Sequence, residues 1–213
     1  MDGNDTVFGS GGSARSPVQQ RSRERRAKIL DAARELISER GSDRLRMNEL
    51  AQAAAVSMGS LYQYFPEKSA VIYALAEAFN LESRRCIAEA FADVRTLESL
   101  RRAFKDLFET YYALARAEPV VRDIWAGMQA DRALADLQVA ENRAMGGLLA
   151  EAALRVRPDL DPNRLAIDGF AIWELGEAAV RLAVSVPAPE GDRVVELYTE
   201  MVLRVLDNLL GGR

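Results

Sequence analysis

The chain is 213 residues long, 49% apolar and 28% charged, enough to bury one large core or two small ones and too apolar to be disordered in bulk. It has no histidine and one cysteine, Cys86, which excludes an internal disulfide and removes the commonest general base and the usual ligands of a zinc site. The net charge of −4 is uneven: residues 15–68 hold eleven Lys/Arg against seven Asp/Glu, a net of +4, and residues 69–213 hold seventeen against twenty-three, a net of −6.

A basic small segment joined to an acidic large one suggests that the first meets a polyanion and the second does not. Scattered surface charge would give the same numbers with no partner at all. No apolar run approaches the ~20 residues of a membrane span. Met1 to Ser16 is rich in Gly, Ser and Asp and lacks the apolar stretch of a secretory signal, so residues 1–20 are expected to be a flexible tail and the chain to be cytoplasmic, with no membrane partner and no cofactor. Cys86 reads as a small core residue, with a redox-sensing thiol as the alternative.

Everything after the tail reads as helix: strict alternation is absent, and Pro66, Pro119, Pro158, Pro162, Pro187 and Pro189 fall where helices should begin or end. A first helix is expected over 21–40, with Ile29, Ala33, Leu36 and Ile37 inward and Gly41 as its stop. A short second one over 47–54 places Met47, Leu50, Ala51 and Ala54 on one face. A third over 58–65 has Ser57 as N-cap and Leu61 and Phe65 as its inward pair, leaving Gly59, Ser60, Tyr62 and Gln63 on the other side. Two short helices joined by a tight turn and braced by a longer one make a helix-turn-helix. Gln63 can pair bidentately with adenine, and Ser60, Tyr62 and Tyr64 can donate to phosphates. Lys68 opens the next helix, 67–91, and adds a cation beside a helix N-terminus. Arg15, Arg21, Arg23, Arg25 and Arg26 form either a DNA-binding arm or a solvated basic stretch.

Further on, Thr96 caps a helix to 117 that carries Phe104, Phe108, Tyr111 and Tyr112. Pro119 opens a short one to about 128, with Trp125 and Met128. Others are expected over 131–157, 162–186 and 189–211, the second of these bearing Phe170 and Trp173. Aromatics concentrated on neighbouring helices fit either a plain core or a cavity between helices that holds a ligand. Trp125, Phe108, Tyr112 and Trp173 are the expected walls, with Phe104, Tyr111, Met128 and Phe170 beside them. Glu174 or Glu177 could face a cationic or hydroxylated ligand, although solvation or pairing with arginine is the commoner fate. Gly169, Ile172, Gly176, Ala179 and Ala183 form a mostly small-residue stripe suited to close helix approach. With Tyr198, Met201, Val202, Val205 and Leu209 of the last helix, this stripe is expected to pair with a twin subunit, the alternative being that both helices pack only within the monomer. Gly146 and Gly147 mark either a kink or another close crossing.

The run Ile29-Leu30-Asp31-Ala32-Ala33-Arg34-Glu35-Leu36-Ile37, then Gly41, Glu49-Leu50-Ala51 and Val56-Ser57-Met58-Gly59-Ser60-Leu61-Tyr62-Gln63-Tyr64-Phe65-Pro66-Glu67-Lys68 resembles the DNA-binding signature of TetR-family regulators over residues 21–72. The resemblance implies an all-α fold: a three-helix helix-turn-helix domain over 21–67, then a larger effector-binding and dimerisation domain over 68–213. By position it implies DNA contacts from Arg46, Asn48, Ser57, Gly59, Ser60, Tyr62, Gln63, Tyr64 and Lys68. It also implies a double-stranded operator, a homodimer through the last two helices and a small, largely apolar effector, with no enzymatic activity. Two positions depart from the pattern: Arg46 stands where threonine usually caps the second helix, and Ala55 where the turn commonly has glycine. A helical enzyme is disfavoured by the missing histidine and phosphate-binding loop, and a general DNA-packaging protein by the acidic 69–213 segment.

Overall fold

The computed structural model describes residues 17–118, 120–123, 125 and 132–211. Arg15, Met128 and Pro119 lie outside that set. Among the described residues the chain is helical throughout, with no strands. Helix α1 spans Pro17–Arg40, so it begins inside the stretch expected to be tail. Pro17 suits a first turn because its missing N–H would be unpaired there anyway. Gly41, at φ 80, ends α1 in a conformation that only glycine adopts without strain, and a 3-10 turn follows at Ser42–Arg44.

Helices α2 (Met47–Ala53) and α3 (Met58–Tyr64) are short and would not persist alone; packing holds them. Leu50, Ala54 and Leu61 are completely buried against Ile29, Ala33 and Val71. The backbone N–H of Val56 donates to the Ala51 carbonyl, closing the turn between the two helices. Helix α4 (Lys68–Phe91) carries buried residues in both halves: Val71 to Ala76 complete the N-terminal core, and Ile87 and Phe91 belong to the C-terminal one. The N-terminal core therefore runs past the boundary expected at 67. It also takes in Val120 and Leu134.

Helix α5 (Leu97–Ala117) opens on a reciprocal cap in which Thr96 accepts from the Ser99 backbone and Ser99 accepts from the Thr96 backbone, both at 3.1 Å. Residues 120–123 are helical. Helices α6 (Arg132–Val156), α7 (Pro162–Ser185, capped by Asp161) and α8 (Ala188–Leu210) complete the body. Helices α6 and α7 pack along much of their length because their backbones can touch: a Cβ on Gly146 would overlap the Gly169 peptide, and the reverse. Gly146 is thus a crossing point, whereas Gly147 faces open space. No helix among the described residues is long and apolar enough to cross a membrane.

Candidate DNA interface and ligand cavity

On α3, Leu61 and Phe65 point into the core while Tyr62 is 48% exposed and Gln63 is exposed. Ser57 caps the helix by accepting from the Ser60 N–H at 3.2 Å. Gly59 is exposed, and a Cβ there would meet nothing, so its small size leaves room for another molecule's approach. The Ser60 hydroxyl is buried and unpartnered. Arg46 and Asn48 are exposed at the start of α2. Arg46 makes no side-chain cap, as its replacement of threonine implied, and Ala55 adopts φ 51.

Two expected phosphate contacts have other work. The Tyr64 hydroxyl donates to Ser22 Oγ at 3.1 Å, tying α3 to α1. The Lys68 ammonium donates to the carbonyls of Ser42 and Asp43 at 3.2 and 3.4 Å, so it fastens the 3-10 turn to α4. Asp123 holds the same turn from the other side, accepting from the Ser42 N–H at 3.0 Å. Of the basic run, Arg21, Arg23 and Arg25 are exposed. Arg26 lies over the Phe65 ring and near Glu77, so it packs rather than reaching out.

A cavity of about 320 Å³ opens between α4, α5, α6, α7 and residues 120–121. Of the aromatics expected to line it, Tyr111 and Trp173 do, together with Glu177. Tyr111 keeps accessible surface although protein encloses it, because that surface is the cavity's own. Its hydroxyl is pushed far up in pKa by burial and by the nearby Glu177 carboxylate. Trp125 is buried and meets the Tyr111 ring edge-on at 6.3 Å, supporting the wall from behind.

Phe104, Phe108, Tyr112 and Phe170, also expected here, lie outside the lining of this cavity. Phe104 and Phe108 stack on each other at 6.0 Å in the C-terminal core and border only a slot of about 20 Å³, room for about one water. Tyr112 is buried, donating to Asp192 at 2.9 Å to join α5 to α8. Phe170 lies under the Arg143 guanidinium at 4.3 Å and does not border the cavity.

Sequence reasoning named Glu177 but missed the neutral polar groups around it. Glu177 is 5% exposed, and its Oε2 accepts from Asn142 Nδ2 at 2.7 Å and Gln138 Nε2 at 2.9 Å. Its Oε1 has a longer contact, 3.4 Å, to Arg181. Burial, with a contribution from Glu174, raises the Glu177 carboxyl above the ordinary range. Asn80, on the α4 wall, is 2% exposed and its amide nitrogen has no partner. The available signals were Asn80 inside an otherwise apolar stretch of α4 and the i, i+4 pair Gln138 and Asn142. Arg34 of α1 also reaches the cavity.

Most of the expected dimer stripe packs inside the subunit. Gly169, Gly176, Ala183, Tyr198 and Val202 are buried within the subunit. Gly169 meets Gly146, Gly176 meets Phe108 and Tyr198, and Ala183 meets Gly191. The Tyr198 hydroxyl donates to the Ile172 carbonyl. Ile172, Ala179 and Leu209 pack partly on the same core, and Met201 and Val205 of that set are exposed. The small residues serve the contacts of α7 with α6, α5 and α8. The apolar surface left outward is offset from them: Ile167, Leu175 and Leu182 on α7, and Leu197, Met201 and Val205 on α8.

A two-helix reading head on a long brace, joined to a helical body with an internal cavity, defines a helix-turn-helix DNA-binding regulator. Residues 29–75 match the profile described as bacterial regulatory proteins, tetR family, and residues 98–210 match the tetracyclin repressor-like C-terminal domain. The chain belongs to the TetR family of transcriptional regulators. It is 39% identical over 67 residues to the transcriptional repressor KstR of Mycolicibacterium smegmatis, covering 32% of this chain and 31% of KstR. The curated relatives it matches are spanned over only 26% to 51% of their own length. A TetR-family regulator from Streptomyces coelicolor superposes with a TM-score of 0.67 at 26% identity, over 89% of this chain and 98% of that one. The RolR complex with resorcinol shares the fold, with a TM-score of 0.61 at 18% identity over 88% and 89%.

Proposed function

We propose that the chain is a homodimeric repressor that binds a near-palindromic operator and is released by a small, largely apolar effector held in the 320 Å³ cavity. The observation that carries this reading is the orientation of α3: the core grips Leu61 and Phe65, and Tyr62 and Gln63 stand free. Gln63 reads a base edge, Tyr62 donates to phosphate, and Arg46 and Asn48 reach the backbone from α2. Two copies related by a twofold axis put their α3 helices in successive major grooves about 34 Å apart. The dimer face is the outward apolar stripe of α7 and α8. RolR, which shares the fold, was crystallised with resorcinol, which supports a ligand role for the cavity here.

Coupling follows from shared residues. Val120 belongs to the core behind α1–α3 and also to the cavity wall, and Asp123, three residues on, holds Ser42. A ligand that fits one placement of residues 120–123 better than another shifts the head between competent and incompetent states, by no more than its differential affinity.

The test is a binding titration on the operator beside the gene and on random duplex. Gln63→Ala should cost about 1–3 kcal/mol on the operator and relax its preference at one base pair. Tyr62→Ala should weaken both duplexes together and leave the dependence on salt unchanged, because a neutral hydroxyl releases no counterion from the phosphate it contacts. Unchanged affinity in both variants would remove the assignment of α3 as the reading helix.

A further inference from the structure

The cavity's chemistry narrows what it holds. Its wall carries three carboxylates, Glu82, Glu118 and Glu177, against one guanidinium, Arg34. Glu82 is spoken for by Arg85 at 2.5 Å, near the surface. Glu177 differs in being buried. Its Oε2 is fixed by two amide donors, whereas Oε1 has only a 3.4 Å contact from Arg181, a side chain 45% exposed and free to swing into solvent. One oxygen of a buried carboxylate is thus locked in direction and the other is open to a stronger donor. Trp173 and Tyr111 border the same end of the cavity, and aromatic faces attract cations most strongly where water is scarce. The rest of the lining carries no charge: Phe79, Leu107 and Met145 are among its apolar majority, and Asn80, Ser83, Thr110, Gln138 and Asn142 are neutral polar groups. A volume of about 320 Å³ is at the lower end of the range for small-molecule sites, about 300–1,000 Å³, and suits a body of one or two rings.

We infer that the ligand of this cavity is a small cationic amphiphile, a protonated amine on an aromatic or aliphatic body, whose ammonium lies against Glu177 Oε1 beside Trp173 and Tyr111 while the body fills the apolar space between α4 and α5. The inference rests on the reading of this cavity as the effector site. A neutral alcohol would take the same oxygen with one weaker bond, and an anion would meet a buried carboxylate in a wall where three carboxylates outnumber the one guanidinium. The ammonium supplies a charge-assisted bond and compensates the burial of the Glu177 charge.

Three indole derivatives of similar size separate these outcomes: tryptamine, tryptophol and indoleacetate, titrated calorimetrically into the full chain at neutral pH. Tryptamine should bind about tenfold more tightly than tryptophol, the scale of an ionised over a neutral donor on the same carboxylate, and indoleacetate should be the weakest. In Glu177→Gln, tryptamine should fall to the level of tryptophol, whose own affinity stays put and reports an intact cavity. Tryptophol equal to or tighter than tryptamine overturns the cation assignment and leaves the cavity as a ligand site. A tryptamine preference that survives Glu177→Gln overturns the role of Glu177. If none of the three binds, and none slows labelling of Cys86, which borders the cavity, the effector-site reading falls as well. The wild-type comparison needs no variant, so a Glu177→Gln protein that failed to fold would leave the test standing.

Discussion

Ala55 holds φ 51, the left-handed region that costs a residue with a Cβ about 1 kcal/mol. Ala55→Gly should therefore raise the stability of the DNA-binding unit by about 1 kcal/mol, less a few tenths for the freer unfolded chain, read as a higher denaturant midpoint at unchanged slope. A lower midpoint would mean that the methyl group contributes packing at this turn. This strain was legible in the sequence because a tight turn between two short helices is decided within a few residues. The inward pair Leu61 and Phe65 was legible for the same reason. The roles of Tyr64 and Lys68 were not, since their partners, Ser22 and Ser42, lie 42 and 26 residues away along the chain. Spacing says which side of a helix a tyrosine occupies; it does not say whether its hydroxyl has already found a neighbour.

Elements show the same division between local and long-range information. Helix limits followed from prolines, caps and periodicity to within a few residues, as at Thr96 and Asp161. Which helix each face would meet did not follow. Gly169, Gly176 and Ala183 advertise close approach, but small size is equally useful to a neighbour in the same subunit and to one in another. Here the neighbours are Gly146, Tyr198 and Gly191 of the same chain. Gly146→Ala should accordingly cost about 2 kcal/mol or more by forcing α6 from α7. Gly147→Ala, one position along and facing open space, should be neutral or stabilising by up to about 1 kcal/mol through helix propensity. Equal midpoints for the two variants in urea would contradict the crossing.

At the scale of the molecule, the cavity was anticipated as a place between the middle helices, but its wall was only partly read. Tyr111, Trp173 and Glu177 were identified; Asn80, Gln138 and Asn142 were not, because a cavity is what several helices fail to fill, and no single helix records it. The outward stripe on α7 and α8 has a direct consequence for assembly. Leu175 is 61% exposed and Met201 57% exposed, and together with their neighbours they form a two-helix apolar surface of the kind that marks an interaction site. Leu175→Glu with Met201→Glu should give monomers in sedimentation and lose operator binding, since one head alone forfeits the second half-site. Leu81→Glu, at 64% exposure on α4, should stay dimeric. A double variant that remained dimeric would move the interface elsewhere.

Val120 and Leu134 help to fill the interior behind α1–α3, and Asp123 grips Ser42, so the DNA reader is not a detachable cassette. Grafting residues 21–67 onto a foreign sensor would strip away part of its own filling and its clamp, leaving a poorly supported head that signals weakly whatever the new sensor senses. A workable chimera would have to carry α4 through Ala76 across the junction and preserve valine, aspartate and leucine at positions equivalent to 120, 123 and 134.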